Sequence, residues 1–237
     1  MAAGTNDLHR ASQIFDIEQV DPGSPLADNV WRARSVPLAS FTSVAAPYWQ
    51  MVVTRHRDRA FFTVRGPETR PSVSPIPQDA EFVGVQFRLG TFISRFAASQ
   101  LVDRAIYLPN AGRRTFWLDG SAWELPTFDN ADVFIRRLMR KGLVGRDPIV
   151  EAAMQGRVAE VSLRTVQRRI QGSTGLTHAT ILQIDRARRA VALLDRGHTI
   201  MDVVENLGYA DQPHLTRALG RFIGHTPGQV VREQRAR

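Results

Sequence analysis

The spacing of apolar positions changes once along this chain. From Trp31 to about Pro126 it favours strands. The stretches 48-YWQMVVT-54 and 60-AFFTV-64 are rich in β-branched and aromatic residues and flank a polar RHRDR segment, which predicts a hairpin. Residues 82-FVGVQFRL-89 alternate apolar and polar over most of their length, and 115-TFWLDGSAW-123 carries an Asp119-Gly120 pair suited to a two-residue hairpin turn. The intervening 66-GPETRPSVSPIPQ-78 holds four prolines and is excluded from any central strand. The first thirty residues are mixed and acidic, with Asp7, Asp16, Glu18, Asp21 and Asp28, and are expected to form a loosely held arm. The first half therefore predicts a small, loop-rich β barrel or sandwich.

From Asn130 the period becomes helical. Val133, Phe134, Leu138 and Leu143 predict an amphipathic helix in DNADVFIRRLMRKGL that closes the β domain or leads onward. From Asp147 the chain reads as helices broken at glycine-bearing turns. The expected fold class is α+β, divided into a β-rich domain over 1–128, a linker helix region over 129–146 and an all-α domain over 147–237.

Near the C-terminus, 199-TIMDVVENLGY-209 starts with a capping threonine and places Ile200, Val203, Val204 and Leu207 on one face. Gly208 suits a left-handed helix end, and Asp211 suits the cap of a following helix that tolerates Pro213 in its first turn. In that helix Leu215, Ala218, Leu219 and Phe222 share the inner face, while Thr216 and Arg217 point outward with Gln212 and His214 on the flanks. This is a helix-turn-helix pattern. It has an echo: 162-SLRTVQRRIQGSTGLTHAT-180 matches 211-DQPHLTRALGRFIGHTPGQ-229 at an offset of forty-nine residues. Val166 meets Leu215, Arg168 meets Arg217, Ile170 meets Leu219, Gly175 meets Gly224 and Thr177 meets Thr226. In the earlier copy Leu163, Val166 and Ile170 are expected to be buried, with Arg164, Gln167 and Arg168 outward. Thr177 and Thr226 are expected to cap the next helices. The segment 178-HATILQIDRARRAVALLDRG-197 predicts one continuous helix between the units. Such a spacer lets two recognition helices reach successive major-groove segments about 34 Å apart on one duplex face. The first unit is short on its leading side, with only 147-DPIVEAAMQGRVAEV-161 available.

Charge sharpens the choice of partner. The formal net charge is +8 over 237 residues, and Lys141 is the only lysine. A strongly basic chain suits a polyanion, and the guanidinium fork suits phosphates and guanine edges; a GC-rich coding bias would also write arginine for lysine. Residues 147–233 are expected to bind duplex DNA on their own. RNA is disfavoured because the basic half lacks aromatic stacking faces. The absence of cysteine excludes a disulfide framework, a thiolate zinc site and a cysteine nucleophile. Among the six histidines only His9 and His56 lie in the first half, without an H-x-H, so no metal and no cofactor are expected. No phosphate-cradling loop, dinucleotide fingerprint or nucleophile elbow is present, so the chain is not expected to be an enzyme. With neither a long apolar run nor a basic n-region at its start, it is expected in the cytoplasm, away from membranes. Trp31, Trp49, Trp117, Trp123, Phe61, Phe62 and Tyr48 either line a pocket or form core, and core is the commoner fate.

The blocks SLRTVQRRIQGSTGLT, DRARRAVALLDRG and NLGYADQPHLTRALGRFIGHTPGQ resemble the AraC-type DNA-binding domain, which has two helix-turn-helix units joined by a long helix. The resemblance runs from about Asp147 to Glu233. It departs from the pattern at Thr177-His178, where proline is usual, and at Ile170 and Leu219, where phenylalanine is usual. It implies a transcription regulator whose base contacts come from Arg164, Gln167 and Arg168 in the first unit and from Gln212, His214, Thr216 and Arg217 in the second. It also implies a cupin-like β domain that senses a small-molecule effector or mediates homodimerisation, with duplex DNA and RNA polymerase as partners. The alternative is an effector-independent DNA-binding protein whose β domain binds only protein partners.

Overall fold

A computed structural model describes residues 15–35, 40–157 and 161–235. The first half is mostly β and the second all helical. Six strands form the main antiparallel sheet in the order β1-β2-β7-β4-β5-β9: β1 Phe15–Val20, β2 Ala27–Ser35, β4 Gln50–His56, β5 Arg59–Arg65, β7 Glu81–Phe87 and β9 Ala105–Leu108. The expected hairpin is β4–β5, with Val53 opposite Phe62 and His56 opposite Arg59. The second hairpin is β11 Thr115–Leu118 with β12 Ser121–Glu124, beside β10 Asn110–Gly112. Its turn residues Asp119 (φ 51) and Gly120 (φ 68) both lie in the left-handed region that a tight hairpin of this kind requires. The proline-rich stretch contributes only β6 Ser72–Pro75, paired with β3 Ser40–Ser43 in a separate two-stranded ribbon.

Two expectations for this half are corrected. The opening segment is not an arm over residues 15–20: it is edge strand β1, in register with β2 from Phe15–Ser35 to Val20–Val30. Glu18 is exposed, as an edge strand allows, and accepts from Arg32 at 2.8 Å. Asp7 and His9 lie outside the described residues. The helix expected after Asn130 is α2, Ala131–Arg140, the first helical element being the short α1, Ala98–Leu101. Its buried stripe is Ala131, Phe134, Ile135 and Leu138, whereas Val133 is 50% exposed. Spacing by three and four from Ala131 puts Val133 on the opposite face.

Helix α2 closes the first core. Phe62 stacks on Phe116 at 4.0 Å, and Phe134 stands edge-on to Phe62, Phe116 and Trp123. These rings pack against Trp49, Met51, Val85 and Phe87 on the inner face of the main sheet. Strand β13, Val144–Arg146, then pairs with β8, Thr91–Ile93, so the chain leaves the β half still hydrogen-bonded to it.

The second half contains α3 Pro148–Met154, α4 Leu163–Thr174, α5 His178–Asp195, α6 Ile200–Leu207, α7 Gln212–Phe222 and α8 Pro227–Arg235. Helix α5 is central. Ile181, Ile184, Ala187, Ala190, Val191 and Leu194 are buried along it, and it touches α4, α6, α7 and α8. Among the described residues no helix is long and apolar enough to cross a membrane, and no group of three or more metal-ligating side chains occurs.

The two halves share their second core, because Ala45 is fully buried in it and Val44, Leu89 and Val102 pack on it. The Ala45 N–H donates to the Phe222 carbonyl at 2.8 Å. Arg188 of α5, 4% exposed, donates to the Ala45 carbonyl at 3.1 Å and to the Tyr48 hydroxyl at 3.0 Å. The Trp49 indole N–H donates to the Ser173 carbonyl at 3.1 Å. Helix α1 lies against the end of α4, and α4 also packs on β8.

Candidate nucleic-acid interface

The repeat seen in the sequence is a repeat of backbone chemistry. Helix α4 is capped by Ser162, whose hydroxyl accepts from the Thr165 N–H at 3.3 Å. Helix α7 is capped by Asp211, whose carboxylate accepts from the His214 N–H at 2.6 Å. These caps stand forty-nine residues apart, as do the left-handed glycines that follow the helices, Gly175 (φ 70) and Gly224 (φ 84). The next caps keep the offset. Thr177 accepts from Thr180 N–H at 3.2 Å, and Thr226 accepts from Gln229 N–H at 3.3 Å while donating its own N–H to Gln229 Oε1 at 2.6 Å. The expectation that both threonines cap helices agrees with this geometry.

The second unit forms as its pattern dictates. Thr199 and Asp202 make a reciprocal capping box at the start of α6, and hydrogen bonding to Thr199 holds the Asp202 carboxyl below the usual carboxylate range. Val203 and Val204 are buried, and Ile200 and Leu207 pack on the same core. Gly208 (φ 65) ends α6, and Leu215, Leu219 and Phe222 seat α7. The turn between them is fastened to α5. Arg186 lies over the Tyr209 ring at 4.5 Å, and the His214 ring stands edge-on to Tyr209 at 5.3 Å. Burial of Tyr209 pushes its phenol pKa upward, against the opposing charge of Arg186.

The first unit is built differently. Among the described residues from Asp147 onward, the one helix that precedes α4 is α3, seven residues long, and it buries a single side chain, Val150. Helix α4 packs on α3 and also on α1 and β8 of the β half, and it is further held by the Trp49–Ser173 hydrogen bond and an ion pair between Arg169 and Asp147 at 3.4 Å. Its far end is well buried at Ile170, Ser173 and Thr174. Its first turn is not: Leu163 is 81% exposed, so the expected stripe of Leu163, Val166 and Ile170 fails at its first member. Among the described residues no helix covers that turn.

Arg164, Gln167, Arg168, Gln212 and Arg217 are all exposed, and His214 and Thr216 are half-buried. Arg168 and Arg217 occupy the same place in their helices, the sixth position of each. Among the described residues no carboxylate pairs with Arg164, Arg168 or Arg217, in contrast to their neighbour Arg169. Three uncommitted guanidinium groups on two recognition helices can bridge to guanine O6 and N7 or to phosphate. Gln167 and Gln212 can bond the adenine edge in the same way. Two of the expected readers are partly engaged within the fold. Thr216 donates its hydroxyl to the Gln212 carbonyl at 2.9 Å, leaving its lone pairs to accept. His214 accepts the Ala210 N–H at Nδ1 at 3.4 Å, so Nε2 is the ring nitrogen left for a further bond. Helix α5, with 18 residues, is about 27 Å long at 1.5 Å per residue and sets the distance between the units. What sequence reasoning missed is the support of α4 by Trp49, Ala98 and Val102, and the bonding of Ala45 to α5 and α7. No local signal marks these residues, because their partners are remote in the chain.

Residues 156–233 match the family model described as a helix-turn-helix domain. Among solved structures, the chain is similar to ToxT from Vibrio cholerae. For the 1.65 Å structure, identity is 8%, coverage is 92% of this chain and 98% of that chain, and the TM-score is 0.43. For ToxT with a bound unsaturated fatty acid, identity is 8%, coverage 84% and 93%, and the TM-score 0.40. No curated protein matches.

Proposed function

We propose, with residues 156–233 identified as a helix-turn-helix domain of the AraC type, that the protein is a sequence-specific DNA-binding transcription regulator. One observation carries the reading. Two recognition helices repeat cap for cap at an offset of forty-nine residues, and each presents an exposed, unpaired arginine at the same position. A single chain then grips two neighbouring major-groove segments. Arg164, Arg168 and Arg217 are assigned to guanine or phosphate, Gln167 and Gln212 to adenine, and Thr216 and His214 to acceptor and donor contacts at the groove edge. Selection of bound sequences from a random duplex library is the direct test. The expected product is a site with two conserved blocks about 10–10.5 base pairs apart. Equal affinity for selected and scrambled duplexes would count against base readout.

The β half admits two roles, sensing a small molecule or acting through protein contacts alone. Phe62, Phe116, Trp123 and Phe134 are packed ring against ring in its core, and its loops are hydrogen-bonded into the helical half. These contacts favour the second role, with the β half as part of the frame that holds the first recognition helix. An effector, if one binds, acts through the same seam. A thermal-shift screen against metabolites separates the two: a ligand at a hundredfold excess over its Kd stabilises by about 2.7 kcal/mol.

A further inference from the structure

We propose that Leu163 is a base reader, contacting the 5-methyl group of a thymine in the segment bound by the first unit. This rests on the DNA-binding reading above and adds a residue and a base to it. Leu163 is the first residue of α4, directly after the Ser162 cap, and it is 81% exposed. The offset of forty-nine residues places it at the position of Gln212, the first residue of α7 directly after the Asp211 cap. The two side chains therefore leave their helices at the same point of matched N-terminal turns. That turn of a recognition helix is the part that meets base edges.

The chemistry selects the ligand. Leucine has neither donor nor acceptor, so it gains nothing from the polar edges of guanine, adenine or cytosine. The apolar feature on the floor of the major groove is the thymine methyl. Leu163 is flanked by Arg164 and Gln167, both exposed, so the apolar contact would sit among polar ones that fix its register. Among the described residues the side chain joins no core cluster, since the core contacts of α4 begin at Val166 and Ile170. At this equivalent position the first unit carries a methyl reader and the second an amide, which adds to the differences between Arg164 and Pro213 and between Gln167 and Thr216. The consequence is an asymmetric site that the monomer occupies in one orientation.

The test uses the full chain and the duplex selected from the library. Each thymine of the first-unit block is replaced in turn by deoxyuridine, which removes only the methyl. At one position this weakens native binding about fourfold, the worth of burying one methyl group. Leu163→Ala weakens binding to the thymine duplex to a similar degree, and combining the two changes costs no more than either alone. Leu163→Gln, copying Gln212, moves the preference at that base pair from thymine toward adenine in a repeated selection. An unchanged melting temperature for both variants shows that the fold is intact. The proposal is overturned if the losses from deoxyuridine and Leu163→Ala simply add, or if no thymine in the block responds. It is also overturned if Leu163→Ala leaves DNA binding unchanged but alters self-association. If the native chain shows no sequence preference at all, the regulator reading fails, and this proposal fails with it. Sequence-specific binding without a methyl effect overturns the Leu163 assignment alone.

Discussion

Replacing Gly175 by alanine tests whether the β half truly braces the first recognition helix. Gly175 ends α4 with φ +70, and an added Cβ would lie 2.6 Å from Val102 Cγ2 and 2.8 Å from the backbone C and O of Ala98. The substitution therefore carries two costs. A left-handed conformation with a Cβ costs about 1–2 kcal/mol, and forcing an atom into the backbone of α1 costs about 1–3 kcal/mol more. The chain supplies its own controls. Gly208 has φ +65 with nothing within 4 Å of an added Cβ, so Gly208→Ala isolates the conformational cost. Gly224 has φ +84 with Pro71 Cγ at 3.1 Å, a contact that a few tenths of an ångström relieve. The expected order of destabilisation is Gly208→Ala, then Gly224→Ala, then Gly175→Ala, with the extremes separated by about 1–3 kcal/mol. Urea unfolding monitored by tryptophan fluorescence is a suitable assay, because Trp49 is buried at the seam and bonded to Ser173. Equal losses for Gly175→Ala and Gly208→Ala would show that α1 yields freely to α4, and the bracing argument would be wrong.

Three further outcomes are expected. Arg168→Ala and Arg217→Ala should each weaken specific binding by about tenfold, within the 1–3 kcal/mol of a bidentate base contact, with melting temperature unchanged; fluorescence anisotropy on selected and scrambled duplexes reads this. A fragment starting near Gly145 should protect only the second block in a footprint and bind more weakly than the full chain, because α1, β8 and Trp49 no longer hold α4; a full-length footprint would refute the shared frame. Asp202 has a folded pKa below its unfolded value, so the stability it contributes is present above the usual carboxylate pKa of about 3.9 and is lost as pH falls through the folded value. The melting-temperature gap between the native chain and Asp202→Ala should therefore close on acidification, and a gap independent of pH would remove the capping-box carboxylate from the account.

What the sequence alone determined is local and periodic. Asp119-Gly120 specified a hairpin turn through its φ demands, and Thr199, Gly208 and Asp211 specified the ends of α6 and the start of α7 through capping chemistry. The offset of forty-nine residues specified two related helical units before any contact was known. Each of these depends on residues a few positions apart, which a reader of the chain can see. The burial of a particular face is different, since it depends on which distant segment covers it. Periodicity placed Leu163 inside and left residues 15–20 outside the sheet, yet Leu163 is exposed and Phe15–Val20 pairs with β2. Only the tertiary structure decided that Ala45 bonds Phe222, that Trp49 bonds Ser173, and that α1 packs against the end of α4. The first two contacts join residues more than a hundred positions apart, and the third joins segments more than sixty apart. Burial of apolar surface is blind to sequence distance, so no local pattern announces such a partner.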